Sequence, residues 1–399
     1  MSDRRVANKN ECFIYGVGAI SALGAGVPQS FAALGSAKSS LSVRAFGEEK
    51  LAVGALSLDA DETLAQFIVE NQRYADLDRC VQLAMVASRE AIGQAGWHGE
   101  SDVGIAIGSS RGATGVLERA HRTYLESGKV PVATSPLTTL GNISSWVAQD
   151  LLTSGPAVSH SVTCSTALHT LATALAWIRA GMAQRFLVGG SEACLTGFTL
   201  AQMRALRIYT AIHDDDFPCR PCAEFGTNRA ANTFVLGEGA CILALGGAES
   251  GRAPLARIES FGCAVEAVAS STAISEEGLG LRQAMRRALD EMRDSSPIDM
   301  VVLHSPGTIK GDQAELTAIE AVFGEERPML SSPKWLFGHT FGASGALGIL
   351  HALYCLTNSA CPPYPYPSRI KNVTRPVKKV MVNAAGFGGN AACVVLSLP

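Results

Sequence analysis

AVSHSVTCSTALHTLATALAWIRAGMA, residues 157–183, is the stretch from which the fold follows. Its first seven residues, 157–163, read as a short strand, and STALHTLATALAWIRAGMA, 165–183, is alanine- and leucine-rich without proline and reads as a helix. Cys164 stands between them, ending one element and opening the next. Similar apolar, glycine-ended runs recur along the chain at 12–18, 103–109, 185–191, 240–246, 300–305, 380–386 and 392–398. Helical patterns lie between them at 79–96, 280–293 and 345–358. Strands without polar alternation, interleaved with helices, predict an α/β protein with parallel-core sheets buried between helical layers.

At 399 residues, with 47% hydrophobic residues, 40 glycines and a formal charge of −3, the chain is long enough for two core-building halves. It carries no basic stripe and few aromatics, which argues against nucleic acid. No run reaches the roughly 18 apolar residues of a membrane span. MSDRRVANKNE is not followed by a signal-type apolar core, because GVGAISALGAG is broken by glycine. Eleven cysteines, most of them isolated in apolar contexts, fit buried free thiols in a reducing cytoplasm. The single CxxC, Cys219 to Cys222, lacks a second pair at zinc-finger distance and reads as structural. His213 with Asp214 to Asp216 reads as a solvated loop, because three adjacent aspartates do not all face one ion.

Three stretches carry the chemistry: HSVTCSTALHTLATAL around Cys164, VVLHSPGTIKGDQAEL around His304 and KWLFGHTFGASGALG around His339. All three groups are expected at loop mouths, where catalytic residues concentrate. A thiol at a strand-to-helix elbow lies near the positive helix terminus, an environment expected to favour a thiolate. His160, His169 and His351 have no motif and read as ordinary core histidines.

These stretches resemble the elongating β-ketoacyl-acyl-carrier-protein synthases, condensing enzymes of the thiolase fold. IYGVGAISALGAG (14–26), VGGSEA (188–193), RPCAEFGTNRAANTFVLGEGA (220–240) and NAAGFGGNA (383–391) match that family in the same order, over essentially the whole chain. The resemblance implies a five-layered αβαβα thiolase-like fold of two pseudo-repeated halves, 1–250 carrying the cysteine and 251–399 carrying both histidines. It implies decarboxylative condensation of a malonyl carrier with an acyl group held on Cys164, the two imidazoles stabilising the enolate, and no metal or organic cofactor. It places Lys334 and Glu315 as buried supports of the histidines, Phe387 as a gate whose backbone N–H joins that of Cys164 in an oxyanion hole, and Thr308 and Gly388 against the substrate. Acyl and malonyl acyl carrier proteins are the implied partners, with a homodimer or a heterodimer with a second ketosynthase-like chain. Arg73, Arg79, Arg204 and Arg207 align with the rim where an acidic carrier would dock.

The chain departs from the family pattern at four places. It reads His304-Ser305-Pro306-Gly307-Thr308, with proline in place of a threonine, and GFGGN where GFGGTN is common. The segment from Arg220 is a few residues longer than usual. Arg111, in GSSRGA, stands where long-chain extenders carry an apolar residue. A guanidinium beside an acyl tunnel needs a partner, and a short or polar-ended pocket, as for an aryl-primed or polyene chain, would supply a reason for it; an outward-facing or dimer-contact Arg111 is the alternative. A degradative thiolase would place a second cysteine in the C-terminal glycine turn, and an initiating synthase would have asparagine at position 339. A non-catalytic, chain-length-setting subunit stays open as a different class of function.

Overall fold

The strand Cys12–Ser21 sits near the middle of one continuous sheet, and everything else is arranged about it. The structure is a computed structural model that describes residues 11–36, 38–213, 215–224, 231–249, 251–270, 272–294, 296–372 and 375–399. Asp214 and residues 225–230 of the lengthened segment lie outside the described residues.

On one side of Cys12–Ser21 the sheet runs through Gly239–Gly246, Arg185–Glu192, Gly104–Gly108 and Ala157–Val158. On the other side it runs through Ala256–Val265, Asn390–Ser397, Lys379–Gly386, Met300–Val302 and Met329–Ser331. Numbered by order in the chain within each set, both read 3-2-4-5-1 from the edge inward, so the internal repeat that sequence identity hides is visible as topology. The two first strands join the sets through three residue pairs, Cys12 with Ile258, Phe13 with Arg257 and Ile14 with Ala256.

The helices make the layers. Thr166–Arg179 and Ser344–Asn358 pack on each other and on both sets of strands, which makes them the central layer. SGALGILHALYCLTN is apolar almost all round, as a helix enclosed on every side must be. Arg79–Gln94 covers the outer face of the first set and Leu279–Glu291 that of the second. The approach of helix to strand is very close. A Cβ on Gly18 would stand 2.0 Å from Ala87 O, and one on Gly262, in the equivalent first strand of the second set, 2.1 Å from Ala284 O. Glycine on these strands lets the covering helix seat, and the same device occurs in both halves.

The sequence-based strands and helices are found with shifted ends, and three differences matter. The strand expected over 157–163 stops at Val158, and residues 159–163 approach Cys164 as an irregular segment. The strand expected over 300–305 ends at Val302, so His304 stands beyond it. Ala256–Val265, central to the sheet, escapes a search for apolar runs because its buried and partly exposed residues alternate along most of its length.

Candidate active site

Cys164, His304 and His339 line one cavity of about 670 Å³, together with Phe341, Thr308 and Phe387. Each reaches it from the end of a different element. Ser165 caps the helix Thr166–Arg179, and Thr163, immediately before the cysteine, is held at φ +50, a left-handed conformation that threonine rarely adopts. That strain is the local signature of the elbow. His304 leaves the strand Met300–Val302, and His339 sits between the short helix Lys334–Phe337 and the central helix, its N–H donating to Val235 O at 2.7 Å.

The two imidazoles face each other nearly perpendicularly, 83° apart with centroids 5.2 Å from one another. Burial pushes the pKa of both well below the ordinary imidazole value, with Lys334 adding to the effect and His304 adding to it at His339. Both are therefore neutral near pH 7, so each keeps one N–H and one free lone pair. At His339 a hydroxyl stands against one of the two ring nitrogens. Ser344 Oγ lies 2.7 Å from Nδ1, accepts the Thr340 N–H at 3.1 Å and stands 3.2 Å from Thr340 Oγ1; when its hydrogen points to Nδ1, the ring proton is on Nε2.

The resting cysteine is a thiol. Burial, and then the charge of Glu192, push Cys164 up to about 12 against the lowering effect of Lys334 and Arg111. This corrects the expectation of a thiolate. The first helical N–H groups are already spent, Ser165 N donating to Val162 O and Thr166 N to Thr163 O, so they do not solvate the sulfur.

The residues expected to support the histidines lie behind the cavity wall. Glu315 is 1% exposed and does not hold a ring. It accepts from His304 N at 2.9 Å, Ser305 N at 2.6 Å, Ser305 Oγ at 2.8 Å and Asn383 Nδ2 at 3.0 Å. Lys334, 4% exposed, donates to Leu303 O at 3.4 Å, and burial lowers its pKa while Glu315 opposes the drop. Neither lines the cavity, which fits residues that position others and do not touch substrate.

Of the residues expected against substrate, Thr308 lines the cavity and caps the helix Ile309–Phe323. Gly388 does not; it is the exposed, positive-φ corner of the turn. Arg111 is not on the cavity surface either. Its guanidinium bonds Gln202 Oε1 and lies over the ring of the cavity-lining Phe341, 5.5 Å from the centroid. The partner that a guanidinium there requires is thus present, and Arg111 acts on the cavity through the Phe341 ring and through its charge on Cys164. Among the rim arginines, Arg79 is committed to Glu238 and Asp61, Arg204 to Glu49, and Arg73 lies over Tyr74; Arg207 alone lines the cavity, joined by the unforeseen Lys310.

The turn after the strand Lys379–Gly386 closes the site. A Cβ on Gly386 would fall 1.9 Å from Thr163 Oγ1 and 3.0 Å from Cys164 N, so the backbone leading to Phe387 lies directly against the nucleophile's own amide. Phe387 is 40% exposed at the mouth.

Three further residues build the site and were not singled out for it from sequence. Glu192, fully buried, accepts from Ser109 Oγ (2.7 Å), Ser110 N (2.8 Å), Arg111 N (3.1 Å) and Gly342 N (2.9 Å), tying the Arg111 loop to the Phe341 loop. Asp312 gathers Cys222 N, Gly307 N and Thr308 N, which shapes the Pro306 turn. Ser344 is the third. A Glu inside VGGSEA and a Ser five residues after His339 were visible, but only the folded contacts say what they hold. His160 and His169 are satisfied as core histidines, by Thr173 Oγ1 at 2.9 Å and Ser165 O at 3.1 Å.

Among the described residues no helix is long and apolar enough to cross a membrane. Residues 17–249 match the family "Beta-ketoacyl synthase, N-terminal domain" and residues 255–365 the family "Beta-ketoacyl synthase, C-terminal domain". The chain is 30% identical over 354 residues to a 3-oxoacyl-[acyl-carrier-protein] synthase 2 of Staphylococcus aureus, covering 82% of this chain and 86% of that one. It is also 30% identical over 359 residues to a putative polyketide beta-ketoacyl synthase 1 of Streptomyces halstedii, covering 81% and 82%. A beta-ketoacyl synthase from Burkholderia phymatum superposes with TM-score 0.83 at 26% identity over 98% of this chain and 100% of that one. The ishigamide ketosynthase/chain length factor matches in fold, with TM-score 0.85 at 24% identity over 98% and 99%. The chain belongs to the beta-ketoacyl synthase family of acyl-transferring condensing enzymes, of the fatty acid or polyketide kind.

Proposed function

We propose that this protein extends an acyl chain by decarboxylative Claisen condensation with a malonyl carrier protein, holding the growing chain on Cys164. The observation that carries the reading is the meeting of Cys164, His304 and His339 on one cavity wall, closed by the Gly386–Phe387 turn.

In the first half-reaction the Cys164 sulfur attacks the acyl-carrier thioester. The carbonyl carbon gains the cysteine sulfur and loses the carrier sulfur, and the thiol proton passes by way of an imidazole to the departing carrier thiolate. With the thiol at about 12 and both imidazoles held low, proton and carbon transfer proceed together, without a resting ion pair. The N–H groups of Cys164 and Phe387 receive the tetrahedral oxyanion.

In the second, malonyl carrier loses carbon dioxide, and its bond pair moves into an enolate whose oxygen takes N–H hydrogen bonds from His304 and His339. Neutral imidazoles suit this role, since each keeps a hydrogen to donate. The enolate carbon then attacks the acyl-cysteine carbonyl, the carbon–sulfur bond breaks, and the released Cys164 thiolate takes one proton from solvent, the proton that balances loss of the malonyl carboxylate as carbon dioxide. In this reading residues 1–250 supply the nucleophile and 251–399 the donors. The Phe341 ring, with the Arg111 guanidinium over it, supports a short acyl pocket, as for a specialised polyene chain that includes the aryl-primed kind. Leu117, Tyr124, Leu125, Val132 and Leu140, all exposed on or beside the helices Thr114–Ser127 and Thr134–Thr138, support a second copy or a related chain as partner.

Intact-mass spectrometry of the protein with fatty and aryl acyl carriers, then malonyl carrier, tests this, with Cys164→Ala in parallel. An adduct on the wild type alone, discharged as a product two carbons longer, is the expected result. A folded protein that takes no adduct from any carrier would instead be a partner-dependent or non-catalytic subunit.

A further inference from the structure

Away from the cavity, the C-terminal end of the central helix gathers a second set of nucleophilic side chains. His351 and Cys355 are four residues apart and so share one face of Ser344–Asn358. The helix stops at Ser359, held at φ +48, and Ala360 N turns back to Cys355 O, which returns Cys361 over the same face. The donor atoms of His351, Cys355 and Cys361 all lie within 4.8 Å of one another. His351 Nε2 is 3.7 Å from Cys355 Sγ and 2.9 Å from the hydroxyl of Ser331, the last residue of the edge strand Met329–Ser331.

That arrangement matches what a tetrahedral ion needs. With bonds of about 2.3 Å to sulfur and about 2.0 Å to nitrogen, neighbouring donors of a zinc ion stand roughly 3.5 Å apart, close to the separation found between Nε2 and Sγ. Two sulfurs and one imidazole select a thiophilic ion over magnesium or calcium. Cys361 is partly exposed, which leaves an entry path. The sequence alone places His351 with ordinary core histidines, and its one CxxC lies elsewhere.

We infer that His351, Cys355 and Cys361 bind one Zn²⁺ ion, with Ser331 Oγ facing its fourth position. Uptake releases one proton from each thiol. The ion fastens the end of the central helix, whose start follows His339, to the strand that leads into Lys334. It is a structural site with no part in the condensation chemistry. His351 Nδ1 is buried without a partner, so the imidazole lacks the outer hydrogen bond that commonly strengthens zinc ligands about 10–100-fold. The site should accordingly yield its metal to a strong chelator.

The test is Co²⁺ titration of chelator-treated, fully reduced protein in a Cys164→Ala background, since Cys164 with His304 and His339 would also attract a thiophilic ion. One equivalent bound, thiolate-to-cobalt charge-transfer absorption and displacement by Zn²⁺ are expected. Cys361→Ser, at a partly exposed position that does not threaten folding, should lose the absorption and weaken binding at least tenfold; Cys355→Ser should do the same. No stoichiometric uptake by the reduced protein, or unchanged uptake and absorption in Cys361→Ser, would overturn the inference. So would protein isolated without reductant whose mass lacks two thiol hydrogens and whose digest links Cys355 to Cys361, because that pair would then serve as a disulfide.

Discussion

The carboxylate of Glu315 grips the backbone of His304, accepting its N–H at 2.9 Å while the imidazole points away into the cavity. Its other oxygen takes both the N–H and the hydroxyl of Ser305. Glu315→Gln puts an amide nitrogen where one of these donors points and strands a buried N–H, at a cost of about 1–3 kcal/mol. If that cost falls on the placement of the enolate donor, malonyl decarboxylation slows by roughly 10–100-fold, while acylation of Cys164 changes only a few-fold. Single-turnover measurement of the two half-reactions checks the split.

Ser344 acts on His339 in a different way, through the choice of tautomer. Ser344→Ala removes the hydroxyl 2.7 Å from Nδ1 and lets the ring proton settle on either nitrogen. The decarboxylation rate should fall about tenfold, the effect of about 1.4 kcal/mol. Nitrogen NMR of labelled histidine should show the Nε2–H form dominant in wild type and mixed in the variant.

Gly386→Ala is expected to abolish acylation of Cys164 altogether. The new Cβ would stand 1.9 Å from Thr163 Oγ1, so the turn carrying the Phe387 amide must move off the cysteine. Thiol labelling of Cys164 should quicken as the turn lifts, even as the acyl adduct disappears from the intact mass.

Arg111→Ile should alter which acyl chains are accepted. It removes the guanidinium from over the Phe341 ring and leaves Gln202 without its partner. Phe341 then gains freedom, and longer apolar primers should acylate Cys164 about tenfold better relative to short ones, a change of roughly 1.4 kcal/mol. An unchanged ratio across a primer series would remove Arg111 from the account of specificity.

Acid should destabilise the protein through the imidazoles of His304 and His339. Both have folded pKa values well below the ordinary 6.5, so below that pH the unfolded chain takes up protons that the folded one refuses. Stability is therefore greatest above 6.5 on this account and is lost as pH falls toward the folded values, by about 1.4 kcal/mol per pH unit for each imidazole. Asp312, raised to about 7, works in the opposite sense between its ordinary value and 7. Urea unfolding of wild type against His304→Ala/His339→Ala isolates the imidazole contribution, because Asp312 is common to both. The double variant should show the shallower fall on the acid side.

Much of this was legible from residues in order. Apolar runs closed by glycine found most of the sheet, and the cysteine and two histidines stood out because each sits where an element ends. The alternating strand Ala256–Val265 was missed because period-2 burial leaves no apolar run, although it joins the two halves. Glu192 was passed over because nothing in its neighbours signals that four donors from two distant loops will meet on it.

The sequence by itself determined the α/β layering and the residues that line the chemistry, since both depend on local pattern and on residue type. The burial of the Cys164 thiol, the hydroxyl against His339 Nδ1, the contacts that Lys334 and Glu315 make behind the wall and the gathering of His351 with Cys355 and Cys361 were decided by tertiary structure. Each depends on burial or on a partner brought from elsewhere in the chain. A pKa or a hydrogen bond belongs to the surroundings of a group, and those surroundings exist only once the halves have packed together.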